Sequence, residues 1–239
     1  MILRQLYDEE SASFSYLLAD AQSGTAIMID PIMDQVMRDF ELIQQMNMKL
    51  AYIFETGVYH DRITGAGMLR ELSGDDRSTA VSILPHTQQR RSADSYTKDG
   101  DIFHFGSHRL EVIDIPGPHG GWACYLVNGI MLFTGDTLLA RGCGEVRNEQ
   151  ARALYRGITD KLFTLHDQCE IYPGRQTNGL GSSTIGEEKQ FNPLLAGADE
   201  DTFVEKMAKD RETMNIVEEE LIDVKTIEDK AREAGLLVG

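Results

Sequence analysis

The chain has 239 residues, 41% hydrophobic and 26% charged, the balance of a soluble globular protein long enough to bury a real core. Its formal net charge of −16 argues against nucleic acid or an anionic membrane as a partner, and no apolar run reaches the roughly 18 residues of a membrane span. Three cysteines, Cys124, Cys143 and Cys169, offer neither a disulfide framework nor a CxxC metal pair.

The opening stretch, MILRQLYDEESASFSY, lacks the basic start and long apolar centre of a signal peptide and is too acidic for a transit peptide. The expected location is therefore the cytoplasm. FSYLLAD and GTAIMIDP then read as short strands around the turn AQSG. From Met33 to Met48, Val36, Phe40, Ile43 and Met46 recur at helical spacing. KLAYIFET (49–56) is the next buried strand, ITGAGMLREL a helix stopped by SGDD, and TAVSILP another strand.

The second half restarts with strands. DIFHF and HRLEVIDIPG flank the turn GSH, and WACYLVNGIMLFTGD is a hairpin centred on Asn128-Gly129, a strong short-range hairpin signal. A helix from about Glu149 to Leu165 carries Leu154, Ile158 and Leu162 on one face, and EIYPG is a short strand. Each half begins with strands and carries helices later, a pattern that suits two sheets packed face to face with helices outside. Residues 1–198 form this domain. Residues 199–239, with 13 acidic and 6 basic residues, read as an acidic helical extension packed on it through Val217, Leu221, Val224 and Ala231. A dimer or partner contact is the other use of that helix.

The polar loop within FETGVYHDRITGAG (54–67) leaves the exit of a strand, where chemistry sits in mixed α/β folds. Six blocks occur in order: IDP (29–31), ETGVYHDRITGAG (55–67), IPGPHGG (115–121), FTGDTLLARGCG (133–144), YPG (172–174) and STIGEEKQFNP (183–193). Together they resemble the metallo-β-lactamase superfamily, and more narrowly its persulfide dioxygenases, glutathione-linked iron enzymes close to hydroxyacylglutathione hydrolase (glyoxalase II). The resemblance implies an αββα sandwich, a metal site on loops at one sheet edge, and often a dimer.

It also shows where this chain departs. The family's first loop reads Thr-His-x-His-x-Asp-His, and here it reads Thr56-Gly57-Val58-Tyr59-His60-Asp61-Arg62. The histidine of the PGH block falls on Pro118, the bridging aspartate is kept as Asp136, and the histidine after YPG falls on Arg175. The two histidines and one aspartate that hold iron in a persulfide dioxygenase thus correspond to Gly57, Pro118 and Asp136. The arginine the family places for glutathione after RGCG is Glu145, while Arg141 is retained.

No bound metal and no other cofactor is expected on this reading. Arg62 and Arg175 stand where histidines were and can supply the missing positive charge to Asp61 and Asp136. Arg62, Asp136, Arg141, Cys143 and Arg175 are the candidate pocket residues for a small, anionic ligand. Tyr59, His60, Asp61 and His119 are candidate acid–base groups, although Tyr59 also suits filling the metal's place, and His60 and His119 suit surface turns. Cys143 is either a reactive thiol or a packing residue, and Trp122 either core or ligand platform. Three functions remain open. One is a metal-free relative that binds a small ligand or a partner. Another is a metal-free hydrolase or lyase-like enzyme using the former metal pocket. The third is a metalloenzyme with His60, His119 and Asp136 as rearranged ligands.

Overall fold

Strand β2 (Ser13–Asp20) sends Phe14, Tyr16 and Leu18 to one face and Leu17 and Ala19 to the other, and both sets are buried. A strand apolar on both faces needs cover on both, which a lone sheet cannot give. The computed structural model, which describes residues 1–57, 63–74, 81–85, 94–117, 121–146 and 148–213, meets this need with four layers.

The first sheet runs in sequential order through β1 (Ile2–Asp8), β2, β3 (Thr25–Ile29), β4 (Lys49–Phe54), β5 (Val81–Pro85) and β6 (Ser95–Thr97). Its first three strands pair antiparallel and the rest parallel. The second sheet holds β7 (Ile102–Phe105), β8 (His108–Ile115), β9 (Trp122–Val127), β10 (Met131–Gly135), β11 (Glu170–Pro173) and β12 (Ser183–Thr184), again in sequential spatial order. Only β10 and β11 pair parallel in it. The β9–β10 hairpin turns at Asn128 (φ 52°) and Gly129 (φ 74°), as the Asn-Gly pair demands.

Between the sheets lies an aromatic core of Phe14, Tyr16, Phe54, Phe105, Tyr125 and Phe133 with Ile27, Ile29 and Val127. Helices α1 (Val36–Gln45) and α2 (Ala66–Ser73) cover the outer face of the first sheet, with Val36, Ile43 and Leu69 against Leu17, Met28 and Ile53. On the second sheet, α3 (Asn148–Gly157), α4 (Ile185–Phe191) and α5 (Glu200–Thr213) bring Leu154, Ile185 and Phe203 onto Trp122, Cys124 and Ile171. This is the expected α/β sandwich. Trp122 is a core residue, 4% exposed.

Local departures from the sequence reading have simple causes. β1 pairs only with β2 and shows solvent on one side, so its residues carry little strand signal. The helix expected over 149–165 ends as α at Gly157 and continues as one wide turn, Ile158–Leu162, closed by the Phe163 N–H donating to the Ile158 carbonyl at 2.8 Å. This turn still buries Ile158 and Leu162 on the expected face. At the far end, Arg152 and Arg156 of α3 pair with Glu200, and Tyr155 packs on Phe203, so α5 rests on α3. The expected stripe from Val217 to Ala231 lies outside the described residues. No described helix is long and apolar enough to cross a membrane.

One buried charge stands out. Asp39 faces the sheet between Val36 and Ile43 and is 1% exposed. Its Oδ1 accepts from Arg38 Nε at 2.9 Å, while Oδ2 has no hydrogen-bond partner. Burial raises its carboxyl to about 6, against the pull of Arg38. The folded value lies above the unfolded 3.8, so the ionised group lowers stability as pH rises from about 4 to about 6. Asp39→Asn is therefore expected to stabilise the fold by about 1–2 kcal/mol at pH 7.5. That gain should shrink towards zero by pH 4, as read from urea unfolding at a series of pH values.

Candidate functional site

The loops carrying the ordered blocks meet at one edge, where the two sheets are tied by main chain. The Ala123 N–H of β9 donates to the Thr56 carbonyl at 2.8 Å, and Phe14 N–H of β2 donates to the Gly174 carbonyl at 2.9 Å. The Tyr125 and Tyr16 hydroxyls donate to the carbonyls of Glu55 and Pro173, each at 2.5 Å. Burial drives the Tyr16 phenol well above its usual range, so it remains a neutral donor. Strand β3 exits into Asp30, whose φ of 50° turns its carboxylate back to accept from the Thr56 N–H at 2.7 Å and the Thr56 hydroxyl at 2.6 Å. Glu55 in turn accepts from Thr64, whose oxygen receives the Ala66 N–H at the start of α2.

Asp136 follows β10, and Arg175 follows β11. Arg175 Nε donates to Asp136 Oδ2 at 2.8 Å, with the aspartate side chain 9% exposed and the arginine 27%. The surrounding backbone is tight. Gly144 N–H donates to the Asp136 carbonyl at 2.5 Å, and Gly174 N–H to the Gly135 carbonyl at 2.7 Å. A Cβ on Gly174 would stand 2.8 Å from Asp136 Oδ1, and one on Gly144 would collide with the Asp136 carbonyl at 2.4 Å, so both positions exclude a side chain. Arg175 also forms an antiparallel bridge with Ser13, which links the exit of β11 to the start of β2.

Arg141 is brought to the same end of the second sheet, yet it turns inwards. Its Nη1 donates to Glu188 Oε1 and to Ser183 Oγ at 3.1 Å, its N–H donates to Glu188 Oε2 at 2.9 Å, and its guanidinium lies over the Phe191 ring. Glu188 is fully buried and also accepts from Ser183 Oγ at 2.5 Å and Asn192 Nδ2 at 2.8 Å. Every lone pair of that carboxylate has a use, which is what makes a buried charge tolerable. Glu145 is exposed. Cys143 is partly buried with its Sγ 3.6 Å from Met207 Sδ. Burial pushes the Cys124 thiol up to about 12 and that of Cys169 to about 11, so neither is a nucleophile.

Of the residues singled out from sequence, Asp136 and Arg175 are in contact, and Arg141 and Cys143 lie on the loop between β10 and α3. Tyr59, His60, Asp61, Arg62, Pro118 and His119 lie outside the described residues. Asp30, Thr56, Glu188 and Asn192 were not expected as network members. The helix-start pattern Thr184-x-x-Glu187, in which Thr184 Oγ1 accepts the Glu187 N–H, could have flagged α4, though not its inward Glu188. Glu188→Ala is expected to cost about 3–5 kcal/mol, because it strands Arg141, Ser183 and Asn192 together. Glu187→Ala truncates a half-exposed side chain, removing a 3.6 Å contact with Arg141 and a 2.9 Å hydrogen bond from the Ser183 hydroxyl, which also reaches Glu188, and should cost about 1 kcal/mol or less. Urea denaturation of the two variants checks the contrast.

Comparison with known proteins agrees with this architecture. Residues 8–180 match the metallo-beta-lactamase superfamily. The mitochondrial persulfide dioxygenase ETHE1 of Homo sapiens is 39% identical over 198 residues, covering 82% of this chain and 76% of its own length. The hydroxyacylglutathione hydrolase of Pelagibacter ubique is 27% identical over 195 residues, covering 81% and 77%. The crystal structure of ETHE1 from Myxococcus xanthus superposes with a TM-score of 0.84 at 34% identity, covering 99% of this chain and 100% of that one. The chain belongs to the metallo-beta-lactamase superfamily, with persulfide dioxygenases and glyoxalase II enzymes among its relatives.

Proposed function

We propose that this protein is a metal-independent relative of the persulfide dioxygenases that works by binding a small anionic ligand at the edge where β4, β10 and β11 exit. The observation that carries the reading is the guanidinium of Arg175 on Asp136. A persulfide dioxygenase would need the family's iron at this edge, held by positions that correspond to Gly57, Pro118 and Asp136. Gly57 has no ligand atom, and the Asp136 carboxylate already faces a fixed positive charge that a metal cation would have to displace. Among the described residues no three His, Cys, Asp or Glu side chains gather as a metal-binding group. On this reading the family's donor positions, as occupied here by Gly57, Pro118 and Asp136, do not fit iron, and no reaction step is assigned to it.

Ligand capture at this edge is assigned to Arg175, with Arg62 added from the sequence alone, because Arg141 is held by the buried Glu188 and Glu145 adds negative charge. This favours a small anion over the larger glutathione conjugates implied by the family.

Protein purified without added metal, and again after incubation with Fe(II), Zn(II) or Mn(II), is expected to hold far less than one ion per chain by elemental analysis. Persulfide-dependent oxygen uptake should be blank. Mass spectrometry of small molecules released on denaturation should reveal an anion that Arg175→Ala protein retains poorly. A stoichiometric ion or robust oxygen uptake would overturn the reading.

A further inference from the structure

Strand β1 ends the first sheet, and the direction of its open side follows from one amide. The ladder pairs Tyr7 with Phe14 of β2, but the Phe14 N–H donates to the Gly174 carbonyl at 2.9 Å. Tyr7 and Phe14 are therefore a pair without mutual hydrogen bonds. By antiparallel alternation so are Gln5 with Tyr16 and Leu3 with Leu18. The N–H and C=O groups of Leu3, Gln5 and Tyr7 thus point away from the sheet, a ready template for another strand.

Arg38 of α1 stands over that template. Its Nη1 donates to the Tyr7 carbonyl at 3.0 Å, while Nε and Nη2 lie 2.9 and 2.8 Å from Asp39 Oδ1. Asp39 is the buried carboxylate whose ionisation lowers stability. Its place under α1 gains a reason here, because it fixes a long, partly exposed side chain that loses rotamer freedom to stay on the strand edge. The Leu3 carbonyl takes Nη1 of its exposed neighbour Arg4 at 3.0 Å.

We infer that β1 is a strand-addition surface for a second copy of this chain, held shut by Arg38, and that Asp39 is the positioning residue that keeps Arg38 there. Charge favours a second copy. Antiparallel pairing centred on Leu6 sets Gln5 opposite Tyr7 of the second copy, where their outward groups exchange hydrogen bonds. The same register sets Arg4 opposite Asp8 of the second copy, twice by two-fold symmetry. A register centred on Arg4 would oppose like charges instead. The Leu6-centred pairing needs the Tyr7 carbonyl, which is the group that Arg38 covers.

Sedimentation velocity of Arg38→Ala/Asp39→Asn protein tests this, the paired change leaving neither charge without its counterpart. At about 100 μM, where a weak strand-to-strand contact is populated, this variant is expected to reach twice the parental mass. Adding Gln5→Pro, which deletes one outward N–H and spares the β1–β2 ladder, should restore the parental mass. Arg4→Glu in the same background should restore it too, by setting a like charge opposite Asp8. A double variant that keeps the parental mass overturns the inference. So does a doubled mass that Gln5→Pro leaves in place, since the contact would then lie elsewhere. If the double variant does not fold, D39N alone is read in its place: it is expected to be more stable than the parent yet partly doubled in mass, and an unchanged mass overturns the inference. None of these changes touches Arg175 or Asp136, so the outcome is independent of the proposed ligand site.

Discussion

Strand β9 sends Ala123, Tyr125 and Val127 to the inner core and Trp122, Cys124 and Leu126 to the helix side, and all six are buried. With β2 it imposes the constraint that shapes the molecule: sheets apolar on both faces have to be sandwiched on both. Phe54 shows the inner solution, with its ring centroid 5.0 Å from that of Tyr125 across the sheet interface. Once the aromatic layer sets the spacing, main chain from the two sheets comes within hydrogen-bond reach at one edge. The links from Ala123 to Thr56 and from Phe14 to Gly174 are consequences of that packing.

The same edge gathers the strand exits, and so gathers charge. Asp30, Glu55, Asp136 and Glu188 are all buried there or beneath its loops, and each is answered by donors from elsewhere in the chain. Asp30 uses a backbone amide and a hydroxyl, Glu188 an arginine with an amide side chain, and Asp136 the guanidinium of Arg175. The contrast between Arg141 and Arg175 is instructive. Both are half-shielded arginines on neighbouring loops, yet Arg141 is absorbed into the scaffold by a fully buried glutamate, whereas Arg175 stands at the strand exits.

Much of the layout was legible from local pattern. The Asn128-Gly129 hairpin, the helix through Val36 and Ile43, and the buried run from Leu50 to Phe54 are short-range signals, and the structure has them where pattern placed them. β1 was not legible, since an edge strand wet on one side carries little apolar alternation. Nor was the wide turn at Ile158–Leu162, because helical spacing of apolar residues survives a one-residue slip in hydrogen bonding.

The family and its αββα layers were thus determined by the amino-acid sequence alone, through six ordered blocks and the two-faced strands between them. Gly57 after Thr56 and the arginine after YPG were equally plain, being matters of residue identity. The tertiary structure alone decided which charges meet. Arg141 and Glu188 lie 47 residues apart and Asp136 and Arg175 lie 39 apart, separations at which no local periodicity reports contact. Arg141 and Arg175 look alike in the chain, and only the packing of α4 against the second sheet and of β2 against β11 gives one Glu188 and the other Asp136 as its partner.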